Sequence, residues 1–420
     1  MMKLRIQLCF GLLFFLHSAM AQGHFKHMQY NLTLYGNPFG CDETTNNTNE
    51  KDQALGVIVA HAQPDILCVN ELRDQNVWAD RILNQVLNAD QNLWSRAALT
   101  ANVTSSSIIN GFFFREDKFT LHSQEVVSQA LDGSNLLRPI DLYTIYVDGP
   151  GLAIGDTTFI TCIVAHLAAT DPVERDDQTA ALMARLAMKG PGNHIFSGDL
   201  NMDAAWEQAF QNLISYPDPT LAFEDPLTIS NSWNNNSSIA LHHTQSTRLS
   251  DTNSGCFAGG GLDDRFDITL ISPSIQEGNN GVHYINGSYK ALGQNGNNYN
   301  QQLQIFGNGA VPNAVALALY DMSDHLPVIT EFSTDVTISV SELQALDMNV
   351  SMISSDYIGI RISNAGSYLL EVYDLSGRLC NKGAFHGMTT ELSLQGLGKG
   401  IYVLRIRSEK DQVVRRILVQ

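Results

Sequence analysis

Apolar residues fall along this chain in short continuous runs, and the most informative runs each end in a polar pair. Tyr30-Asn31-Leu32-Thr33-Leu34-Tyr35-Gly36 alternates as a strand does and leads into a Gly/Pro/Asn loop. Leu55, Ile58 and Val59 mark the inner face of a helix over 51–63, which Pro64 stops. Asp65 through Val69 then reads as a buried strand, with Asn70-Glu71 emerging beyond its apolar end. Val77, Trp78, Ile82, Val86 and Leu87 space as the inner face of a further helix. Ser107 to Lys118, which contains Phe112-Phe113-Phe114, predicts a strand running into a charged turn, with the three rings in the core. Phe159 through Leu167 is a strand with His166 near its end. Asp171-Pro172-Val173-Glu174 supplies an N-cap, a Pro at the first helical position and an acidic residue at the third. That helix extends to Gly190 and feeds the run Phe196-Ser197-Gly198-Asp199-Leu200-Asn201. Trp206, Phe210 and Leu213 mark one more core-facing helix.

The remaining runs sit between polar segments. Residues 230–261 are rich in Asn, Ser and Gly and contain His242-His243, a composition that predicts a long loop or insertion with both histidines solvated; contact of His242 or His243 with substrate is the alternative, since long ordered loops in enzymes often bind substrate. The strand Arg265-Phe266-Asp267-Ile268-Thr269-Leu270 follows, and after a second Asn/Gln-rich stretch at 294–303 comes Ser323-Asp324-His325-Leu326-Pro327-Val328. Side chains two apart on an extended segment share a face, so Asp199 and Asn201 are able to enter one cleft together. Gly-Asp-x-Asn is equally good turn chemistry, and a structural Asn closing a strand is the alternative for Asn31.

Taken in order, Asn31, Asn70-Glu71, Asp199-x-Asn201, Arg265-x-Asp267 and Ser323-Asp324-His325 resemble the endonuclease/exonuclease/phosphatase superfamily. These are the Mg-dependent phosphodiesterases and phosphatases related to pancreatic deoxyribonuclease. The resemblance implies a four-layer α/β sandwich, two packed β-sheets flanked by helices, over 22–335. It makes Glu71 the principal metal-ligating carboxylate, with Asn31 and Asp324 as neighbours around Mg²⁺ or Mn²⁺. It further implies that Asp199 positions the attacking water, that Asp267 orients His325, and that Asn201 and His166 stabilise the transition state. Arg138, in Leu137-Arg138-Pro139, matches an Arg that addresses substrate phosphate; an exposed edge Arg is the alternative. The residue before the metal-ligating Glu is usually Gln and is Asn70 here.

Other features bear on location and partners. Lys3 and Arg5, the apolar run Leu8–Leu16 and Ala19-Met20-Ala21 read as a secretory signal over 1–21, too short to anchor stably in a bilayer. Cys68 and Cys162 lie in apolar strands and read as core residues, whereas Cys41 and Cys256 lie in polar loops and are able to pair in an oxidising compartment. Residues 22–338 carry 14 Lys and Arg against 35 Asp and Glu, a net charge of −21, with no basic stripe of the kind nucleic-acid binders show. Residues 339–420 are a separate unit: Tyr368–Leu375 into Ser376-Gly377-Arg378, Gly400–Ile406, and a last strand ending Ile417-Leu418-Val419-Gln420. They resemble the C-terminal sorting domain of the type IX secretion system, which implies a small all-β sandwich, that machinery as partner, and a secreted or outer-surface location. A carbohydrate-binding sandwich is the alternative, but the tail lacks an aromatic cluster for sugar stacking. The expected activity is a secreted nonspecific endonuclease, acting as a monomer. A secreted phosphatase or sphingomyelinase-like phospholipase C is the sibling reading, and a noncatalytic surface binding protein the more distant one.

Overall fold

The computed structural model describes residues 23–149, 152, 157–336, 348–354, 357–374, 378–408 and 412–419. The signal sequence read at 1–21 lies outside the described residues. Up to Thr334 the strands are β1 (Gly23–Tyr35), β2 (Ile66–Arg73), β3 (Trp94–Arg96), β4 (Ile108–Arg115), β5 (Phe119–Gln129), β6 (Asn135–Val147), β7 (Phe159–His166), β8 (His194–Asp199), β9 (Asp267–Ile271), β10 (Val282–Tyr284), β11 (Lys290–Ala291) and β12 (Val328–Thr334). One sheet has the order β10-β12-β1-β2-β4-β3, with β11 also on β12; the second has the order β5-β6-β7-β8-β9.

The period of two in each strand assigns its residues to layers. On β2, Ile66 and Cys68 enter a core between the two sheets, while Leu67 and Val69 face the helix side with Leu55 and Ile58 of the helix Thr48–Ala62. On β4, Phe112 and Phe114 face inward and Phe113 outward, so one run of three rings serves two cores. On the second sheet Cys162 and Val164 face inward, while Ile163 and Ala165 meet Leu182 and Leu186 of the helix Pro172–Lys189. Helix, sheet, sheet, helix is the resulting order, a four-layer α/β sandwich. Both faces of the central strands are covered, which is why they read as unbroken apolar runs rather than alternating ones.

Some expectations shift. The first helix begins at Thr48 rather than 51, because Asn47 accepts hydrogen bonds from the N–H groups of Asn49 and Glu50. It ends at Ala62, with Gln63 left-handed just before Pro64. Trp206 precedes the helix Gln208–Ile214 and is 66% exposed, so it is not a core residue. Residues 230–261 are irregular as expected, but much of the segment is inside the protein: His243, Thr244, Ser246, Thr247 and Arg248 are all buried. The His243 ring packs with Nδ1 3.2 Å from the Leu262 carbonyl, so it is not a solvated loop residue.

Cys41 and Cys256 form a disulfide across 215 residues, and Cys68 and Cys162 are free and buried. Closing a loop of that size removes unfolded-chain entropy, so the Cys41→Ser/Cys256→Ser protein should lose about 2–4 kcal/mol of stability in urea unfolding against the oxidised parent. An unchanged midpoint would show that the bridge restrains nothing.

The C-terminal strands β13 (Met348–Ser354), β14 (Tyr357–Tyr373), β15 (Leu379–Ser393), β16 (Gly400–Arg407) and β17 (Gln412–Val419) form an all-antiparallel five-stranded unit. Ile358, Ile360, Leu370, Leu404 and Ile406 share its own apolar core. Among the described residues no helix is long and apolar enough to cross a membrane.

Candidate active site

Strand direction brings the candidate residues to one edge. β1 runs parallel to β2 and β7 parallel to β8, so Asn31, Glu71, His166 and Asp199 all lie at C-terminal strand ends. β9 and β12 run the opposite way, so their beginnings, Asp267 and the turn holding His325, lie at the same edge. Within the second sheet His166, Asp199 and Asp267 are direct register partners on adjacent strands, all facing the other sheet. Opposite them the inner face of β1 turns from apolar to polar, Phe25 then His27, Gln29 and Asn31.

Left-handed backbone ends these strands. Thr33 and Leu34 have φ of 44° and 53°, Glu71 has φ of 59° and Asn201 has φ of 50°. Non-glycine residues there cost on the order of 1 kcal/mol or more each, and such strain collects at functional sites. At Glu71 it interrupts the β2–β4 register between Val69 and Leu72 and frees the side chain from the ladder. Glu71 Oε1 then accepts from Asn31 Nδ2 at 3.1 Å and Oε2 from the Leu34 N–H at 2.9 Å.

Asn31 Nδ2 also donates to Asp199 Oδ2 at 2.9 Å, tying the two sheets together. His166 Nε2 lies 3.5 Å from that oxygen and 4.0 Å from Glu71 Oε1. One ligand atom each from Glu71, His166 and Asp199 falls within 4.8 Å of the others, a cluster able to hold a metal ion. Burial pushes the Asp199 carboxyl up to about 7, against the pull of His325. Burial drives His166 well below its ordinary value, with Arg138 and His325 adding to the effect, so it stays neutral with Nδ1 unpartnered. The neutral ring turns Nε2, not the unpartnered Nδ1, toward the two carboxylates, so Nε2 is the atom able to ligate an ion there.

The second half of the site is a buried pair. His325 Nδ1 meets Asp267 Oδ2 at 2.7 Å, and His325 Nε2 lies 3.8 Å from Asp199 Oδ2. Burial disfavours the charged ring, but the Asp267 and Asp199 carboxylates outweigh it and hold the imidazole well above its ordinary pKa. Asp267, not Asp263 or Asp264, is therefore the carboxylate that meets the ring. The Asp264 carboxylate instead accepts from Asn234 Nδ2 at 2.6 Å.

Other candidates occupy different positions from those expected. Asp324 stands apart from the carboxylate cluster: Oδ1 accepts from the Thr33 hydroxyl and Oδ2 from the Ala258 N–H at 2.7 Å. It braces the backbone on either side of the site, while His166 and Asp199, not Asp324, are the residues grouped with Glu71. Arg138 donates from Nε to the His166 carbonyl at 2.9 Å and from Nη2 to the Leu167 carbonyl at 2.6 Å. Those two donors hold the end of β7 in place rather than reaching for a phosphate. Asn201 Nδ2 donates to the Leu167 carbonyl at 3.2 Å, and its N–H to Asp199 Oδ1 at 3.2 Å.

Two further contributors have no role assigned to them by the motifs. Asn70 Oδ1 accepts from the Asp199 N–H at 2.9 Å, while its Nδ2 donates to Asn110 Oδ1 at 2.8 Å and the Ala165 carbonyl at 3.1 Å. It fixes the backbone that carries Asp199; its place beside Glu71 is the one sequence signal for this. Gln245, inside the polar segment, puts Nε2 2.8 Å from His325 Nε2. No local pattern marks it.

Residues 354–420 match the family model for the secretion system C-terminal sorting domain. A search of curated proteins returned no match. Solved structures similar to this chain include an endonuclease/exonuclease/phosphatase family protein from Bacteroides thetaiotaomicron, at 15% identity over 75% of this chain and 99% of that one, with a TM-score of 0.46. The human Nocturnin catalytic domain with bound sulfate is 14% identical over 74% of this chain and 94% of that one, TM-score 0.46. D. rerio TDP2 complexed with a single-strand DNA product is 14% identical over 74% and 99%, TM-score 0.46. Residues 354–420, the sorting-domain match, follow the layered α/β body that carries this site.

Proposed function

We propose that this chain is a secreted, metal-dependent phosphodiesterase, and that its substrate is nucleic acid, cleaved internally and without sequence preference. The observation that carries this reading is the meeting of a metal-capable cluster and a carboxylate–imidazole pair at one edge of two packed sheets. Two carboxylates and one neutral imidazole form a donor set able to take Mg²⁺ or Mn²⁺, and Asn31, donating from Nδ2 to both carboxylates, holds them in place. A divalent ion held there supplies charge neutralisation on the phosphate. Asp199 orients the attacking water and accepts its proton as the water attacks. His325, kept charged by Asp267, donates from Nε2 to the phosphate oxygen as negative charge builds there. Asn201, at the mouth of the same turn, adds a neutral donor through the Nδ2 hydrogen that the Leu167 carbonyl does not take.

Charge sets the condition for nucleic acid. With −21 on residues 22–338, attraction to a polyanion depends on bound divalent ions rather than on a basic groove. Purified protein should nick supercoiled plasmid and cleave RNA with little sequence preference, at rates that rise with Mg²⁺ through the millimolar range. Sphingomyelin and a phosphate monoester belong in the same assay. If plasmid and RNA survive while one of those is hydrolysed, the lipase or phosphatase reading replaces the nuclease. Hydrolysis of nothing would leave a binding protein.

The sorting domain points to export and to the type IX machinery as partner. Cells expressing the chain without 339–420 should retain it in the periplasm with activity intact. Parental levels of the shortened protein in the medium would remove the address role.

A further inference from the structure

His325 leaves one ring nitrogen for chemistry. Nδ1 is committed to Asp267, so Nε2 is the atom that faces the cleft, and Gln245 Nε2 lies 2.8 Å from it. The approach is built into the backbone. The Gln245 carbonyl accepts from the N–H groups of Asp263 and Asp264, both at 3.0 Å, and the Gln245 N–H donates to the Asp264 carbonyl at 3.2 Å. On the other side Leu326 N–H donates to the Thr244 carbonyl at 2.8 Å, and Thr247 N–H to the Asp324 carbonyl at 2.9 Å. Residue 245 thus bridges both the strand that leads to Asp267 and the turn that carries His325. Its neighbours Thr244 and Ser246 are buried, yet Gln245 itself is partly exposed, which opens the amide to the cleft. Among the described residues no polar group other than the His325 ring lies within hydrogen-bond distance of this side chain.

We propose that Gln245 is a further substrate-contacting residue, which donates from its amide to the same phosphate oxygen that His325 addresses. The inference rests on the phosphoesterase reading of this site. In the charged ring Nε2 carries a proton, so it and the amide nitrogen are both donors 2.8 Å apart with no acceptor between them, and a substrate oxygen that enters there accepts from each. Two donors then meet one developing negative charge, an arrangement that strengthens in the transition state. The polar segment 230–261 becomes part of the active site through this one side chain.

The structural alternative is that Gln245 only steadies the His325 ring. Three full-length variants separate the two roles: Gln245→Ala, Gln245→Asn and Gln245→Glu. Inorganic phosphate binding by calorimetry is measured beside hydrolysis of a phosphodiester, with thermal melts to confirm folding. Loss of one hydrogen bond to a charged oxygen should weaken phosphate binding and kcat/KM about 10-fold in Gln245→Ala. Gln245→Asn, which withdraws the amide by one methylene, should fall between Ala and the parent. Gln245→Glu is the deciding variant. A carboxylate holds the imidazole at least as well as an amide but repels phosphate, so it should be worse than Ala. Parental phosphate binding and turnover in Gln245→Glu would overturn the proposal and leave a bracing role. A parent protein that neither binds phosphate nor cleaves any phosphoester would overturn the functional reading itself, and this proposal with it.

Discussion

Replacing His325 with Ala is expected to lower kcat by about 10³-fold, within the range that a positioned acid–base or charge-stabilising group contributes. The same change should also weaken the fold. Asp267 is fully buried and its Oδ2 is paired only with the imidazole 2.7 Å away, while Oδ1 has no partner, so removing the ring strands a charge in the interior. Breaking a buried pair from one side costs about 3–5 kcal/mol, whereas removing both members can be close to neutral. The double variant His325→Ala/Asp267→Ala should therefore recover much of the lost stability and none of the lost activity. Urea unfolding and initial rates on one phosphodiester separate the two. Recovery of turnover along with stability would mean that His325 serves the fold alone. Asp267→Asn should fall between the parent and His325→Ala, because an amide oxygen still holds the ring but supports its charged form poorly. Asp264→Ala should do less harm, since that carboxylate meets Asn234 and not the ring. The opposite order would displace Asp267 from its role.

How these residues came to be legible is a matter of strand direction. A run of apolar residues in a covered sheet has to stop where the chain reaches solvent, and the first polar side chains past the stop lie at the sheet edge. Asn31, Glu71, His166 and Asp199 all stand at such a stop, and parallel pairing sends them to the same side. The alternation within the run also assigned Phe112, Phe113 and Phe114 to the core without further information.

The surroundings of other residues depend on contacts no local pattern contains. Asp324 follows Ser323 in a motif that suggests metal binding. Its oxygens are claimed by Thr33, whose own left-handed φ follows from the turn after Asn31, and by Ala258, which lies two residues past a disulfide to Cys41. Arg138 sits in a plausible phosphate position along the chain, yet two carbonyls at the end of β7 take two of its donors. The polar segment 230–261 looked solvated because polar composition was equated with exposure. Its backbone instead pairs with 261–264 and 324–326, which buries His243 and Arg248 and delivers Gln245 to the site. Composition cannot show such pairing, because it is set by partners up to 80 residues away.

The other large effect concerns Glu71. Its backbone is held in a strained left-handed turn, and its oxygens are oriented by Asn31 and by the Leu34 N–H, a placement with no packing purpose since the side chain is partly open to solvent. Strain kept at a carboxylate facing a second carboxylate and a neutral imidazole makes sense if a cation joins them. Chelation should abolish hydrolysis, and Mg²⁺ or Mn²⁺ should restore it. Glu71→Gln keeps the shape but removes one negative charge and, since only one acceptor oxygen remains, one of the two hydrogen bonds from Asn31 and the Leu34 N–H. Mg²⁺ affinity, followed by calorimetry and by the Mg²⁺ dependence of kcat/KM, should fall by about 10- to 100-fold, as when a ligand or its oriented partner is altered. Asn31→Ala should move the same curve less, because it removes a bridging amide and no charge. Saturating Mg²⁺ should also raise the melting temperature of the parent and have little effect on Glu71→Gln, since an ion that binds only the folded state stabilises it in proportion to site occupancy. A fully active protein after exhaustive chelation, or a parental Mg²⁺ curve in Glu71→Gln, would separate the cluster of Glu71, His166 and Asp199 from the reaction.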